Sequence, residues 1–309
     1  MSYTLLHGVF VIRYPDLPRQ GPEPDGDTVK FRPDNPALVE NLPRPSGRPP
    51  GINARGISVR LEAIDALETH FGETHQELTF ANAARDRLLA LLGFTGVTFF
   101  ADQPNKIESA DQDTIAGHVL SNGIDANGRL IGFVYPGTPA EDDGTDVHLE
   151  TDRLDLSANA KLLAEGLVYP AFYATLPAEL RVHLAVSSQA ARAAKSGLWP
   201  NAAGDPDAGF ADVPDLEALQ KLTIWPKLFR RLVSFLATAP PNLTGFDAWL
   251  RQDPVHRDDP LFLLDKAEHG NLHDVIAVNN SGQAIQLTQF PEHFIISPDP
   301  PPPGAPVHP

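Results

Sequence analysis

Cysteine does not occur anywhere in the 309 residues, which excludes a disulfide framework, a thiolate nucleophile and a cysteine-built zinc site. Basic residues are scarce as well. Lys and Arg number 24 against 40 Asp and Glu, a formal net charge of −16, and the acid is spread along the chain rather than gathered in a tail. A field of that sign repels polyanions, so it argues against non-specific coating of DNA and against anionic membranes. Any phosphate ligand needs a local basic cluster or a metal ion. Long apolar runs are also missing. No stretch reaches the roughly 18 to 20 apolar residues of a membrane span, and the apolar start MSYTLLHGVFVIRYP lacks the basic flank and small-residue cleavage site of a signal peptide. The expectation is a soluble cytoplasmic protein with no membrane partner.

Proline and glycine, by contrast, are plentiful at 31 and 23 residues without a repeat period, which predicts long irregular connections. Strand periodicity is read at Leu6 to Tyr14, Asp27 to Arg32 and in GISVRLEAID, residues 56 to 65, where Ile57, Val59, Leu61 and Ala63 alternate with polar neighbours. Between them, residues 33 to 54 hold six prolines and read as an insertion loop. Thr74-His75-Gln76-Glu77 fits a capping box ahead of helically spaced Leu78, Ala81, Ala84, Leu88, Leu91 and Leu92, and Gly93 ends that helix. Further strands are expected at Val97 to Ala101, Ile115 to Leu120 and Leu130 to Tyr135, the last two joined by the turn at Asp125 to Gly128. Helices are expected at Leu156 to Glu165 and Pro177 to Ser196. This order gives an α+β arrangement around a small barrel.

Three short stretches carry the chemistry. Asp25-Gly26-Asp27-Thr28 by itself reads as a plain turn more readily than as a site, since Asp and Gly favour turns for local reasons. Residues 60 to 68, RLEAIDALE, place Arg60 in a strand and Asp65 and Glu68 at its end, while DANGR puts Arg129 at a strand start. Acids at strand ends beside two arginines suit a phosphodiester: carboxylates hold a hard divalent cation and guanidinium forks grip phosphate oxygens.

These stretches resemble the staphylococcal-nuclease-like (thermonuclease) family. DGDTVKF, VRLEAIDALE, DANGRLIGFVY, LSANAKLLAEGLVYP and SSQAARAAKSGLW occur in the family's order over about residues 3 to 200. The resemblance implies a five-stranded OB-type β-barrel with packed helices, and a nuclease that hydrolyses single-stranded or frayed DNA or RNA with one Ca²⁺ as cofactor. In that reading Asp27, Asp65 and the backbone carbonyl of Ala66 ligate the ion, Glu68 acts on the attacking water, and Arg60 and Arg129 stabilise the phosphorane. Asp25 and Thr28 would support the metal site from behind, and Tyr169, Phe172 and Tyr173 would stack on bases. The alternative is an inactive member that binds nucleic acid or protein without cutting. The family's loop proline is Leu67 here, and the turn before Arg129 lacks the family's Lys-Tyr pair.

The domain reading is a nuclease domain over 1 to 200, a linker over 201 to 209, an accessory mixed α/β domain over 210 to 297 and a disordered Pro-rich tail over 298 to 309. Within the accessory domain, Leu216 to Leu236 reads as helix broken at Pro226, and DVIAVNNSGQAIQLTQF as a β-hairpin. A protein partner, or self-association, is expected through this part of the chain. His269 and His273 stand four apart, but Gly270 and Asn271 between them argue against a helical metal site.

Overall fold

The computed structural model describes residues 2 to 298. Five strands form its centre: β1 (Ser2–Val11), β2 (Thr28–Pro33), β3 (Ile57–Leu61), β4 (Thr114–Ile124) and β5 (Leu130–Pro136). They pair in the order β2-β3-β5-β4-β1, and β1 then pairs with β2 as well, so the sheet closes on itself. All pairings are antiparallel except β3 with β5. The result is an α+β protein built on a closed, mixed five-stranded barrel, compatible with an OB-type fold. Closure requires β1 to cross β2 closely. Gly8 makes that crossing, where a Cβ would stand 2.3 Å from the Arg32 carbonyl oxygen.

The barrel is filled by Phe10, Phe31 and Phe133 together with the aliphatic residues that alternate along each strand. Three helices cover it: α1 (Leu78–Leu92), α2 (Ala158–Ala164) and α3 (Ala178–Ala193). Gly93 ends α1 in the left-handed conformation, as its position predicts. At the other end the capping box is not formed. Glu77 caps the helix through Phe80 N, and Thr74 instead donates to the carbonyl of Phe71. On α2, the buried Asn159 donates to the carbonyls of Glu62 and Gly132 and accepts from Val134 N, tying β3 to β5 from inside.

Residues 63 to 65 do not simply extend β3. Ala63 takes a positive φ of 73°, which turns the chain, and Ala63–Asp65 pairs separately with Tyr169–Ala171. The proline-rich loop carries one short helix, Pro36–Glu40, and Gln103–Ser109 forms a hairpin with Thr98–Phe100 that periodicity does not reveal.

Beyond residue 200 the chain forms two three-stranded antiparallel sheets and a basic helix, α4 (Pro226–Leu236). The expected hairpin is present as Ile276–Val278 with Ala284–Leu287. Residues 201 to 209 are pinned to this part: Ala203 N donates to the Thr223 carbonyl, Leu287 N to the Gly204 carbonyl, and Asp205 is buried. A second apolar core joins both parts, since Leu67, Tyr169 and Trp199 pack with Trp225, Phe229 and Phe294. The last strand returns to the barrel, with Ile296 N donating to the Phe172 carbonyl and Ala174 N to the Ile296 carbonyl. The histidine pair forms no helix. His269 lies in a strand, and His273 bonds to Asp258 and Asp274. Among the described residues no helix is long and apolar enough to cross a membrane. Most of the Pro-rich tail lies outside the described residues.

Candidate active site

The loop ahead of β2 sets the first carboxylate. Asp27 N donates to Asp25 Oδ1 (3.1 Å), a local turn, and Leu61 N donates to the Asp27 carbonyl, which locks the turn against β3. Gly26 is needed for a different reason from turning: a Cβ there would stand 2.6 Å from the Cβ of Ala66 and 2.7 Å from that of Ala84. The absence of a side chain lets the acidic turn sit on α1 and on the Asp65 loop. Asp27 then accepts from Ala66 N (3.0 Å) and from Thr28 Oγ1 (3.0 Å).

Register brings the next group in. Thr28 is the cross-strand partner of Arg60, whose Nη2 donates to Tyr173 OH (2.7 Å) with the guanidinium over the tyrosine ring. The positive φ at Ala63 then directs the chain towards Asp65, and the loop that follows carries Glu68. This loop is held by packing and by one amide. Leu67 is buried in the second core, and Gln76, itself fully buried, accepts from Glu68 N (3.1 Å) and donates to the Ile224 carbonyl (2.8 Å). Arg129 enters from the opposite side, where its Nε donates to Asp125 Oδ2 (2.7 Å).

Asp25, Asp27, Thr28, Arg60, Asp65, Glu68 and Arg129 all line one cavity of about 390 Å³ at the barrel mouth. Ala66 contributes its backbone N–H to Asp27 and does not line the cavity. The aromatic expectation needs correction. Tyr169 is buried with its hydroxyl donating to the Thr223 carbonyl, and Phe172 is buried in the barrel core, so neither offers a face for stacking. Only Tyr173 of the three reaches a cavity, a second one of about 320 Å³ that shares Arg60 and Ala126 with the first and is otherwise largely apolar.

The electrostatics are dominated by crowded, desolvated acid. Burial raises the pKa of Glu68 to about 7, reinforced by Asp27 and Asp65 and opposed by Arg230. Burial beside Asp27 and Glu68 likewise pushes Asp25 well above the usual carboxylate range. Arg230 is the group that sequence reasoning missed. From α4 its guanidinium donates to both oxygens of Asp65 (3.0 to 3.2 Å) and to Glu68 Oε1 (2.5 Å). Burial disfavours its charge, yet Asp65 and Glu68 outweigh that and hold its pKa well above the ordinary arginine value. Lys227 and Arg231, on the same helix, also line the cavity, and both pair with the buried Asp259. A Lys and two Arg spaced three and four apart in a chain of net −16 is a visible stripe, and it was the available signal.

The donor set suits a hard divalent ion. Its oxygens are carboxylates, the ligands such an ion takes, and Asp25, Asp27, Asp65 and Glu68 line one cavity. Both Asp65 oxygens are, however, held by Arg230, and among the described residues no three acidic or histidine side chains are gathered around one point. Fold and cavity together define a closed-barrel protein with a cleft lined by both carboxylates and basic side chains. No protein-family model and no curated protein matches the chain, so its likeness to staphylococcal-nuclease-like domains rests on the motifs and the barrel.

Proposed function

We propose that the protein is a Ca²⁺-dependent phosphodiesterase of the staphylococcal-nuclease-like type, acting on single-stranded or frayed DNA or RNA. The observation that carries this reading is the convergence of Asp27, Arg60, Asp65, Glu68 and Arg129, from separate segments, on one cavity. A bound calcium ion, held by Asp27 and Asp65, would supply positive charge to the scissile phosphate. Glu68 would accept the proton of the attacking water, a role suited to a carboxyl whose pKa is raised to about 7. As the phosphorus becomes five-coordinate, Arg60 and Arg129 would neutralise the charge growing on its oxygens. The bond to the 5′ oxygen then breaks and a 3′-phosphate end is left. Tyr173 and the apolar cavity beside Arg60 give a base a place to lie.

One observation favours a second reading. Arg230 neutralises Asp65 and Glu68 from within the protein, as it would in a domain that binds nucleic acid without cutting it. Digestion of single-stranded DNA and RNA, with Ca²⁺ and with chelator, separates the two. The expected result is Ca²⁺-dependent cleavage that falls at least about 100-fold in both Glu68→Gln and Arg60→Ala. Cleavage indifferent to chelator, or unchanged in both variants, would overturn the nuclease reading, and tight binding without cleavage would support the second.

A further inference from the structure

We infer that Arg230 is a tethered competitor of the divalent ion, so that the C-terminal part of the chain sets the metal affinity of the barrel. The inference rests on the reading that Asp27 and Asp65 hold that ion.

Three features of the structure lead to it. First, the guanidinium and a metal ion need the same oxygens: Arg230 takes both oxygens of Asp65 and one of Glu68, the groups a cation at this cavity would use. Bidentate, charge-assisted pairs of this kind are the strong ones, and an ion must replace them rather than add to them. Second, the helix that carries Arg230 is fixed. Lys227 (2.8 Å) and Arg231 (2.7 Å) bracket the buried Asp259, and Leu228, Phe229 and Leu232 lie in the second core. Withdrawal of α4 as a body would break that ion triad and open an apolar interface. Third, the Arg230 side chain is partly exposed, at 21%, and borders a cavity of about 390 Å³. Rotation of the side chain about its own bonds is therefore the route by which the carboxylates are released.

At those oxygens the exchange trades one positive charge for two. Arg230 is held by Asp65 and Glu68, and Asp25 and Asp27 line the same cavity, as do Arg60, Arg129, Lys227 and Arg231. A divalent ion brings twice the charge of the guanidinium to the oxygens it takes over. The freed guanidinium would remain in the cavity beside Arg60 and Arg129, where a phosphate would be bound.

The test is calorimetric titration of the full chain with CaCl₂ in the absence of nucleic acid. Arg230→Ala should bind Ca²⁺ at least 10-fold more tightly than the unaltered protein, and Arg230→Gln, which keeps the aliphatic stem, should do so even if the alanine variant folds poorly. Lys221→Ala removes an exposed charge that pairs with Glu217 and does not line the cavity, and it controls for the loss of positive charge as such. Equal or weaker binding by the Arg230 variants overturns the inference and leaves the phosphodiesterase reading standing. A tightening of equal size in Lys221→Ala also overturns it, as a bulk charge effect. Absence of Ca²⁺ binding in every protein overturns both the inference and the calcium reading.

Discussion

Glu62 is a buried carboxyl that lies one residue before the turn at Ala63 and takes no part in the proposed chemistry. Burial raises its pKa to about 7, with the hydrogen bond from Asn122 pulling the other way. The fold therefore prefers its protonated form. As pH rises from about 4.5 to about 7 the unfolded chain loses this proton first, and stability falls through that window by about 3 kcal/mol. Glu62→Gln keeps the shape and the acceptor for Asn122 but cannot ionise. Urea unfolding should show Glu62→Gln more stable than the unaltered protein at pH 8 and nearly equal to it at pH 4.5. At this scale the sequence was informative wherever chemistry is local: the Asp-Gly-Asp turn, Arg60 in a strand and Arg129 after an Asx turn are all readable from neighbours. Tyr169 and Phe172 were not, because an aromatic residue in the second core and one in the barrel core look like exposed ones until the partner surface is known.

At the level of elements, the loop from Asp65 to Gln76 shows how one anchor replaces another. Where proline would stiffen the backbone covalently, this chain uses the buried side chain of Leu67 and the amide of Gln76, which joins Glu68 N to the Ile224 carbonyl. Gln76→Ala leaves a buried donor and a buried acceptor unpaired. It should cost about 2 to 5 kcal/mol in denaturant unfolding, and it should lower cleavage more than it lowers nucleic-acid binding, because it frees Glu68 rather than the arginines. The sequence had offered Gln76 as part of a helix cap, a local role, whereas its partners lie 8 and 148 residues away. The contact of helix α4 with the site escaped for the same reason, although the helix itself is legible. Its break at Pro226 and its basic stripe are visible, but nothing local says that the stripe meets Asp65 and Glu68 more than 160 residues earlier.

At the scale of the whole molecule, the motif boundary near residue 200 is not a boundary of packing. Leu67, Tyr169, Ala171, Leu198 and Trp199 belong to the core completed by Trp225, Phe229 and Phe294. A chain cut after residue 200 would expose these side chains, of which each leucine is worth roughly 1.5 to 3 kcal/mol of burial. Such a fragment should be insoluble or show no cooperative thermal transition, while the full chain melts cooperatively. The barrel itself follows from strand periodicity, but the second core is built from isolated apolar residues far apart in sequence, and no window of the sequence displays it.

The return of the last strand, where Ile296 exchanges hydrogen bonds with Phe172 and Ala174, also imposes an order in time. A ribosome releases the barrel segments first, and domains tend to form as they emerge. The loop bearing Glu68 nonetheless waits for Ile224 and for a strand that ends at residue 296. During synthesis the barrel would thus exist for tens of residues without the partners of its Glu68 loop, and the cleft would be finished only after the strand ending at residue 296 had left the exit tunnel.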